Sequence, residues 1–232
     1  MKIIRKLQKL LQRIVLLFFG STILFVLLLR WCPVYITPLM LIRCVQQVGR
    51  GEEIRLRHHW VPIEEMSPHL PVAVMASEDQ RFLEHHGFDF KEIDNALKER
   101  SEGKRQRGAS TISQQTAKNV FLWNGGSWFR KGLEAYFTAL IELMWSKERI
   151  MEVYLNSIEM GDGIYGAEAV SQLHFGYPAT ELTKANCALI AATLPNPLKY
   201  SSKDPSSYVL RRQTWVLRQM PYTEKVWKSR ED

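Results

Sequence analysis

The sequence predicts a mainly α-helical protein tethered by one membrane-spanning helix, and three observations carry that prediction. Residues 14–29, IVLLFFGSTILFVLLL, form an uncharged apolar run. It reaches about 20 residues if Arg13 or Arg30 snorkels, enough to cross a bilayer. After a connecting stretch to about Arg57, the chain reads as successive helices, broken by Gly and Pro at short intervals. No convincing alternating strand pattern and no internal repeat competes with that reading.

The apolar run reads as an uncleaved anchor. Arg30, Trp31, Cys32 and Pro33 follow it, where a cleavage site would need small residues. Lys2, Arg5, Lys6, Lys9 and Arg13 precede it, and the positive-inside rule then keeps the N-terminus in the cytoplasm and exports the rest. The expected organisation is a basic segment and anchor over 1–36, a connection over 37–63 and one working domain over 64–232.

A helix is expected from the Ser67–Pro68 cap through Glu84, ended by Gly87. Further helices follow at Phe90–Arg100, Thr111–Leu122, Phe129–Trp145 and Lys147–Asn156. The last three are expected at Ala167–Phe175, Thr183–Leu194 and Ser206–Met220.

The 232 residues carry a formal charge of +7, and 46% of them are hydrophobic, enough for a real core. Six of the positive charges are the five before the anchor and Arg30, which leaves the remainder near +1 and removes most of the case for nucleic acid as a partner. Lys98 to Lys131 is locally basic, with eight cations against Glu99 and Glu102. An anion could dock there; for Lys104, Arg105 and Arg107 a solvated loop explains the charge equally well. Cys32, Cys44 and Cys187 lack metal-ligand or disulfide-framework spacing. Cys187 reads as core, and a Cys32–Cys44 bridge stays open for an exported segment.

Three stretches carry candidate chemistry. In ASEDQRFLEHHGFD, residues 76–89, a continuous helix would put Val72, Met75, Asp79, Phe82 and His86 on one face with Glu78 beside it. A carboxyl partly desolvated there would have a raised pKa and suit a general base, although surface acids on an amphipathic helix give the same pattern. His85 and His86 are adjacent and so point apart, as do His58 and His59, which argues against a metal site. His86 is expected to be structural, bonded to a carbonyl or carboxylate. In GASTISQQTAKN, residues 108–119, Thr111 and Gln114 have capping-box spacing, and Ser110, Gln114 and Lys118 continue a polar face suited to sugar hydroxyls and phosphate oxygens. In FRKGLE, Arg130 and Lys131 lie one helical turn before Glu134. Internal salt bridges account for that spacing, and so does a diphosphate site with a second carboxylate.

EDQRFLEHHGFD, GASTISQQTAKN, RKGLE, KERIMEVYLN and then GIYGAEA, LPNP and RRQTWVL, in this order from about Glu64 to Met220, resemble the peptidoglycan glycosyltransferase family. The similarity is to its monofunctional, membrane-anchored form. Ser101–Lys104 fits S-x-x-K by chance, with no SxN or KTG partner for a transpeptidase. The resemblance implies a lysozyme-like helical lobe with a smaller membrane-associated lobe, to which Phe121, Leu122, Trp123, Trp128 and Phe129 are suited. It implies a peptidoglycan glycosyltransferase that polymerises lipid II at the bacterial inner membrane. The diphosphate-linked chain passes to the 4-hydroxyl of the next lipid II, with inversion to a β-1,4 bond and release of undecaprenyl diphosphate.

By the same resemblance Glu78 is the base, and Glu134 assists at the donor. Arg130, Lys131, Lys118 and Gln115 match donor-binding positions; Asp79, Ser110, Thr111 and Lys147 are supporting contacts. HHGFD keeps the family's His-x-x-Asp spacing through His86 and Asp89. No metal ligand set or required cofactor is visible, and a divalent cation such as magnesium is left as an aid to the diphosphate. The implied partners are lipid II, the growing glycan, the bilayer and other cell-wall synthesis or division proteins. A lytic transglycosylase or lysozyme-like hydrolase, and a non-catalytic membrane-anchored scaffold, are the competing readings.

Overall fold

The structure is a computed structural model and describes residues 2–103, 108 and 110–228. Lys104, Arg105 and Arg107, with the S-x-x-K match they end, lie outside the described residues.

The chain begins with α1 (Lys2–Leu28), the one described helix long and apolar enough to cross a membrane. Its far end docks on the domain. Thr22 Oγ1 and Tyr136 OH are 2.8 Å apart, Trp145 Nε1 donates to the Val26 carbonyl at 2.9 Å, and Phe25 meets Phe121 edge-on. After a turn comes α2 (Pro38–Gly49), capped by Thr37, within the stretch expected only to connect.

The helical domain that follows is built from two groups of helices sharing one core. In the first, α3 (His69–Glu78) packs against α9 (Lys184–Thr193) and α10 (Ser207–Lys228). Every residue from Leu70 to Ala76 is buried, so α3 is apolar all round and runs through the core. In the second, α5 (Ile112–Phe121) packs against α6 (Trp128–Met144) and α7 (Lys147–Ser157). The two remaining helices are α4 (Phe90–Ser101) and α8 (Ala167–Phe175). Local sequence explains the starts. Thr111 and Gln114 close the expected capping box on α5, Thr183 and Asn186 close another on α9, and Ser127 and Ser146 cap α6 and α7.

Three expectations are corrected. Short strands do exist: β1 (Arg57–His58) pairs in parallel with β3 (Ile164–Tyr165), which pairs antiparallel with β2 (Glu159–Gly161). Strands this short carry no readable alternation. The helix expected to reach Glu84 ends at Glu78, because Asp79 leaves helical geometry at φ −160°, ψ 79°. Asp79, Phe82 and His86 therefore do not continue a helical face. Finally, α10 does not stop at Met220 but runs through Pro221 to Lys228. Beyond the proline, buried Thr223 donates to the Val72 carbonyl of α3 at 3.0 Å and Trp227 is buried as well, so tertiary packing outweighs the lost backbone donor.

Candidate active site

Between the two groups of helices lies a cleft of about 1060 Å³, and Glu78 reaches it from the last residue of α3. The opposite wall comes from α5, through Gln115, Lys118 and Asn119; α10 adds Arg212 and Trp215, and α2 adds Leu39 and Arg43.

Four groups surround the Glu78 carboxylate. Gln115 Nε2 donates to Oε2 at 3.1 Å, Ser77 Oγ donates to Oε1 at 3.2 Å, and Arg212 Nη2 stands 3.9 Å from Oε1. Neighbouring Asp79 adds a like charge. Burial dominates and pushes the Glu78 pKa up; Gln115, Arg212 and Ser77 oppose it, while Asp79 adds to the rise. Behind Gln115, the buried Tyr154 hydroxyl donates to its Oε1 at 3.2 Å, which aims the amide nitrogen at Glu78. Burial and the facing carboxylates of Glu78 and Asp79 hold the Tyr154 phenol well above its ordinary pKa, so it stays a donor.

Asp79, beside Glu78 in sequence, does a different job. Its carboxylate accepts from His85 Nε2 at 3.0 Å and from the Ile112 backbone N–H at 3.0 Å, tying the segment after α3 to the start of α5. That segment then turns at Gly87, whose φ of +87° favours glycine. An added Cβ would lie 2.7 Å from Thr138 Cγ2 of α6. Asp89 caps α4 and pairs with Arg81 at 2.7 Å. The expectation for His86 is thus corrected: His86 is exposed, and the buried histidine holding a carboxylate is His85. Helical register, which would have turned His86 inward, ends eight residues earlier at Glu78.

Asp79, His85 and Asp89 bring potential ligand atoms within 4.8 Å of one another. Their geometry does not fit a divalent cation. The His85 nitrogen that faces the group is engaged with both Asp79 oxygens, Ile112 N–H takes one of those oxygens, and the Arg81 guanidinium already occupies Asp89.

At the start of α6, Glu134 is buried between Arg130 Nη1, at 2.7 Å, and Lys131 Nζ. Arg130 also donates to the Gly125 carbonyl at 2.6 Å. Lys118 lies between this group and the Glu78 end. It lines the cleft with no ion-pair partner among the described residues, and it feels the charges of Glu134, Arg130 and Lys131. Burial lowers its pKa, with Glu134 opposing. A partly desolvated ammonium beside two further cations suits an anion with several oxygens.

A cleft lined by a largely desolvated carboxylate and by an ammonium with further cations beside it can serve proton transfer close to an anionic group. The transglycosylase family model matches residues 45–221. The chain belongs to that family. Relatives named biosynthetic peptidoglycan transglycosylase cover most of it. One from Bacteroides thetaiotaomicron is 59% identical over 96% of this chain and 90% of its own length; one from Bdellovibrio bacteriovorus is 54% identical over 91% and 84%. A third, from Pseudomonas putida, is 53% identical over 90% of this chain and 89% of its own.

In this transglycosylase the fold brings Glu78, Asp79, Ser110, Thr111, Gln115 and Lys118 to the cleft. Arg130, Lys131 and Glu134 stand together beside Lys118 without lining it. Lys147 is elsewhere. Its ammonium donates to the His85 carbonyl and to Glu142, both at 2.7 Å, and lies 4.6 Å from the Phe82 ring centroid, so it braces the segment that carries Asp79. Sequence reasoning gave no role to Arg212 or Tyr154. Both lie in stretches that carried the resemblance, but their contacts span 134 and 39 positions and leave no local spacing to read.

Proposed function

We propose that this transglycosylase polymerises lipid II into glycan strands, with Glu78 as the base that activates the acceptor. The transfer forms a bond between the acceptor 4-oxygen and the donor anomeric carbon as the bond from that carbon to the diphosphate breaks. The hydroxyl proton passes to Glu78, and the electron pair leaves with undecaprenyl diphosphate. Attack from the face opposite the leaving group gives the β-1,4 bond.

The observation that carries this reading is the environment of Glu78: largely desolvated, with a raised pKa, and hydrogen-bonded by Gln115 and Ser77 at the wall of the cleft. A base matched to neutral pH needs that combination. Lys118, with Arg130 and Lys131 beside it, is the diphosphate end. Glu134 holds those two cations in place near the donor. The reading assigns neutralisation of the diphosphate to these side chains.

The anchor fits a lipid-linked substrate. With its basic flank in the cytoplasm, α1 would place the domain on the outer face of the inner membrane, and a reporter fused at Asp232 is expected to be exported. The direct test is polymer formation from purified lipid II by the wild type, Glu78→Gln and Glu84→Gln. Wild type and Glu84→Gln should make polymer and Glu78→Gln should not. Polymer from Glu78→Gln at the wild-type rate refutes the base, and cleavage of preformed glycan without synthesis identifies a hydrolase instead.

A further inference from the structure

Helix α2 has two unlike faces. Its inner face carries Leu39 and Arg43 into the cleft wall, where Arg43 makes a two-pronged pair with Glu159 at 2.9 and 2.8 Å. On the same side Met40 is buried, and the Gln47 side-chain oxygen accepts from the Arg55 N–H at 2.8 Å. The outer face presents Leu41, Val45 and Val48, one helical stripe, at 55%, 72% and 59% exposure. No charged side chain falls within that stripe. Taking such aliphatic side chains out of water is favourable, so something apolar is the favourable neighbour.

Exposed apolar side chains also occur in the stretch that leads from α1 to α2. Between α1 and α2, Trp31, Tyr35 and Ile36 are also exposed, and amphipathic rings favour the headgroup level. The stretch joining the two helices, residues 29–37, can span at most about 30 Å at 3.3–3.6 Å per residue. Val34, midway along it, is buried in the main core and shortens that reach. The outer end of α1 is itself fixed to the domain, through Arg149 donating to the Leu29 and Cys32 carbonyls.

We propose that α2 lies in the outer headgroup layer of the bilayer that α1 crosses, with Leu41, Val45 and Val48 toward the acyl chains. Its other face then sets the Leu39–Arg43 wall of the cleft at the membrane surface, where a lipid-linked substrate enters without leaving the bilayer. The inference rests on α1 being a membrane anchor and is independent of the role given to Glu78.

The test uses the full chain in nanodiscs of phosphatidylethanolamine and phosphatidylglycerol, with Cys32 and Cys44 replaced by serine and the buried Cys187 retained. Nitroxide labels at Leu41→Cys, Val45→Cys, Val48→Cys, Gln46→Cys and Leu24→Cys are probed with oxygen and a water-soluble nickel chelate. Labels at 41, 45 and 48 should favour oxygen several-fold over the label at 46, in the same sense as the label at 24 in α1. Nickel access at 41, 45 and 48 equal to that at 46, with 24 still in lipid, overturns the proposal alone. Nickel access at 24 overturns it together with the anchor. Labels at 41, 45 and 48 shielded from both probes would mean a protein neighbour such as a second copy, and would also overturn it. Val45→Glu combined with Val48→Glu should lower polymerisation in nanodiscs several-fold at unchanged thermal midpoint; undiminished polymerisation counts against the proposal.

Discussion

Glu78 closes α3 and Glu134 lies in the second turn of α6; they are the same residue type, and their surroundings make them opposites. Glu78 is met by an amide, a hydroxyl and a guanidinium no closer than 3.9 Å, so desolvation governs it and its proton affinity rises. Glu134 is clamped between two cations, and the proposed reading gives it the task of arranging positive charge. Neighbours, not residue identity, separate the two proposed roles, one taking a proton and the other holding an anion site together.

The largest way to break this comparison is to neutralise each carboxylate. Glu78→Gln should lower polymerisation by about 10²–10⁴, the usual worth of a positioned base, or roughly 3–5 kcal/mol of barrier. Lys131→Ala should weaken binding of a donor-mimicking phosphoglycolipid by about 10–10², from the loss of one charge-assisted contact, with the fold intact by circular dichroism. Unchanged affinity would remove the diphosphate role from the start of α6.

Stability sharpens the contrast through its sign. Because burial raises the Glu78 pKa above the unfolded value near 4.3, the folded state binds more protons between the two values, and stability falls as pH rises through that window. The cost is full above the folded pKa. Glu78→Gln should therefore raise the thermal midpoint at neutral pH, with the gain vanishing below about pH 4. Glu134→Gln should lower it, with a stability loss of up to about 3 kcal/mol, since the nearly buried Arg130 loses its partner while half-exposed Lys131 is screened. Shifts of the same sign in both variants would end the distinction.

The smallest effect is expected from Tyr154→Phe. Without the phenol, the Gln115 amide loses the contact that aims its nitrogen at Glu78, so the acid limb of the pH–rate profile should move up and kcat should fall several-fold with KM little changed. An unmoved limb would reduce Tyr154 to core packing.

Much of this was legible in the sequence because it is local. The capping box at Thr111, the helix start at Thr183, the apolar run of α1 and the one-turn spacing of Arg130, Lys131 and Glu134 are set by neighbours within four residues. What escaped is held by distant partners. The end of α3 depends on Asp79 reaching Ile112, the course of α10 past Pro221 on Thr223 reaching Val72, and the tuning of Glu78 on Arg212 and Tyr154. Lys147, a supporting contact by resemblance, has Glu142 and the His85 carbonyl as its partners.

The central claim is that Glu78 is a desolvated base whose protonation controls the reaction. Difference infrared titration of wild type against Glu78→Gln isolates that one carboxyl, and it can be set beside the pH dependence of polymerisation. The account predicts a carboxyl that titrates above the ordinary glutamate range, with the polymerisation rate rising through the same midpoint as Glu78 loses its proton. A Glu78 carboxyl titrating in the ordinary range, or a rate that ignores its midpoint, would contradict it.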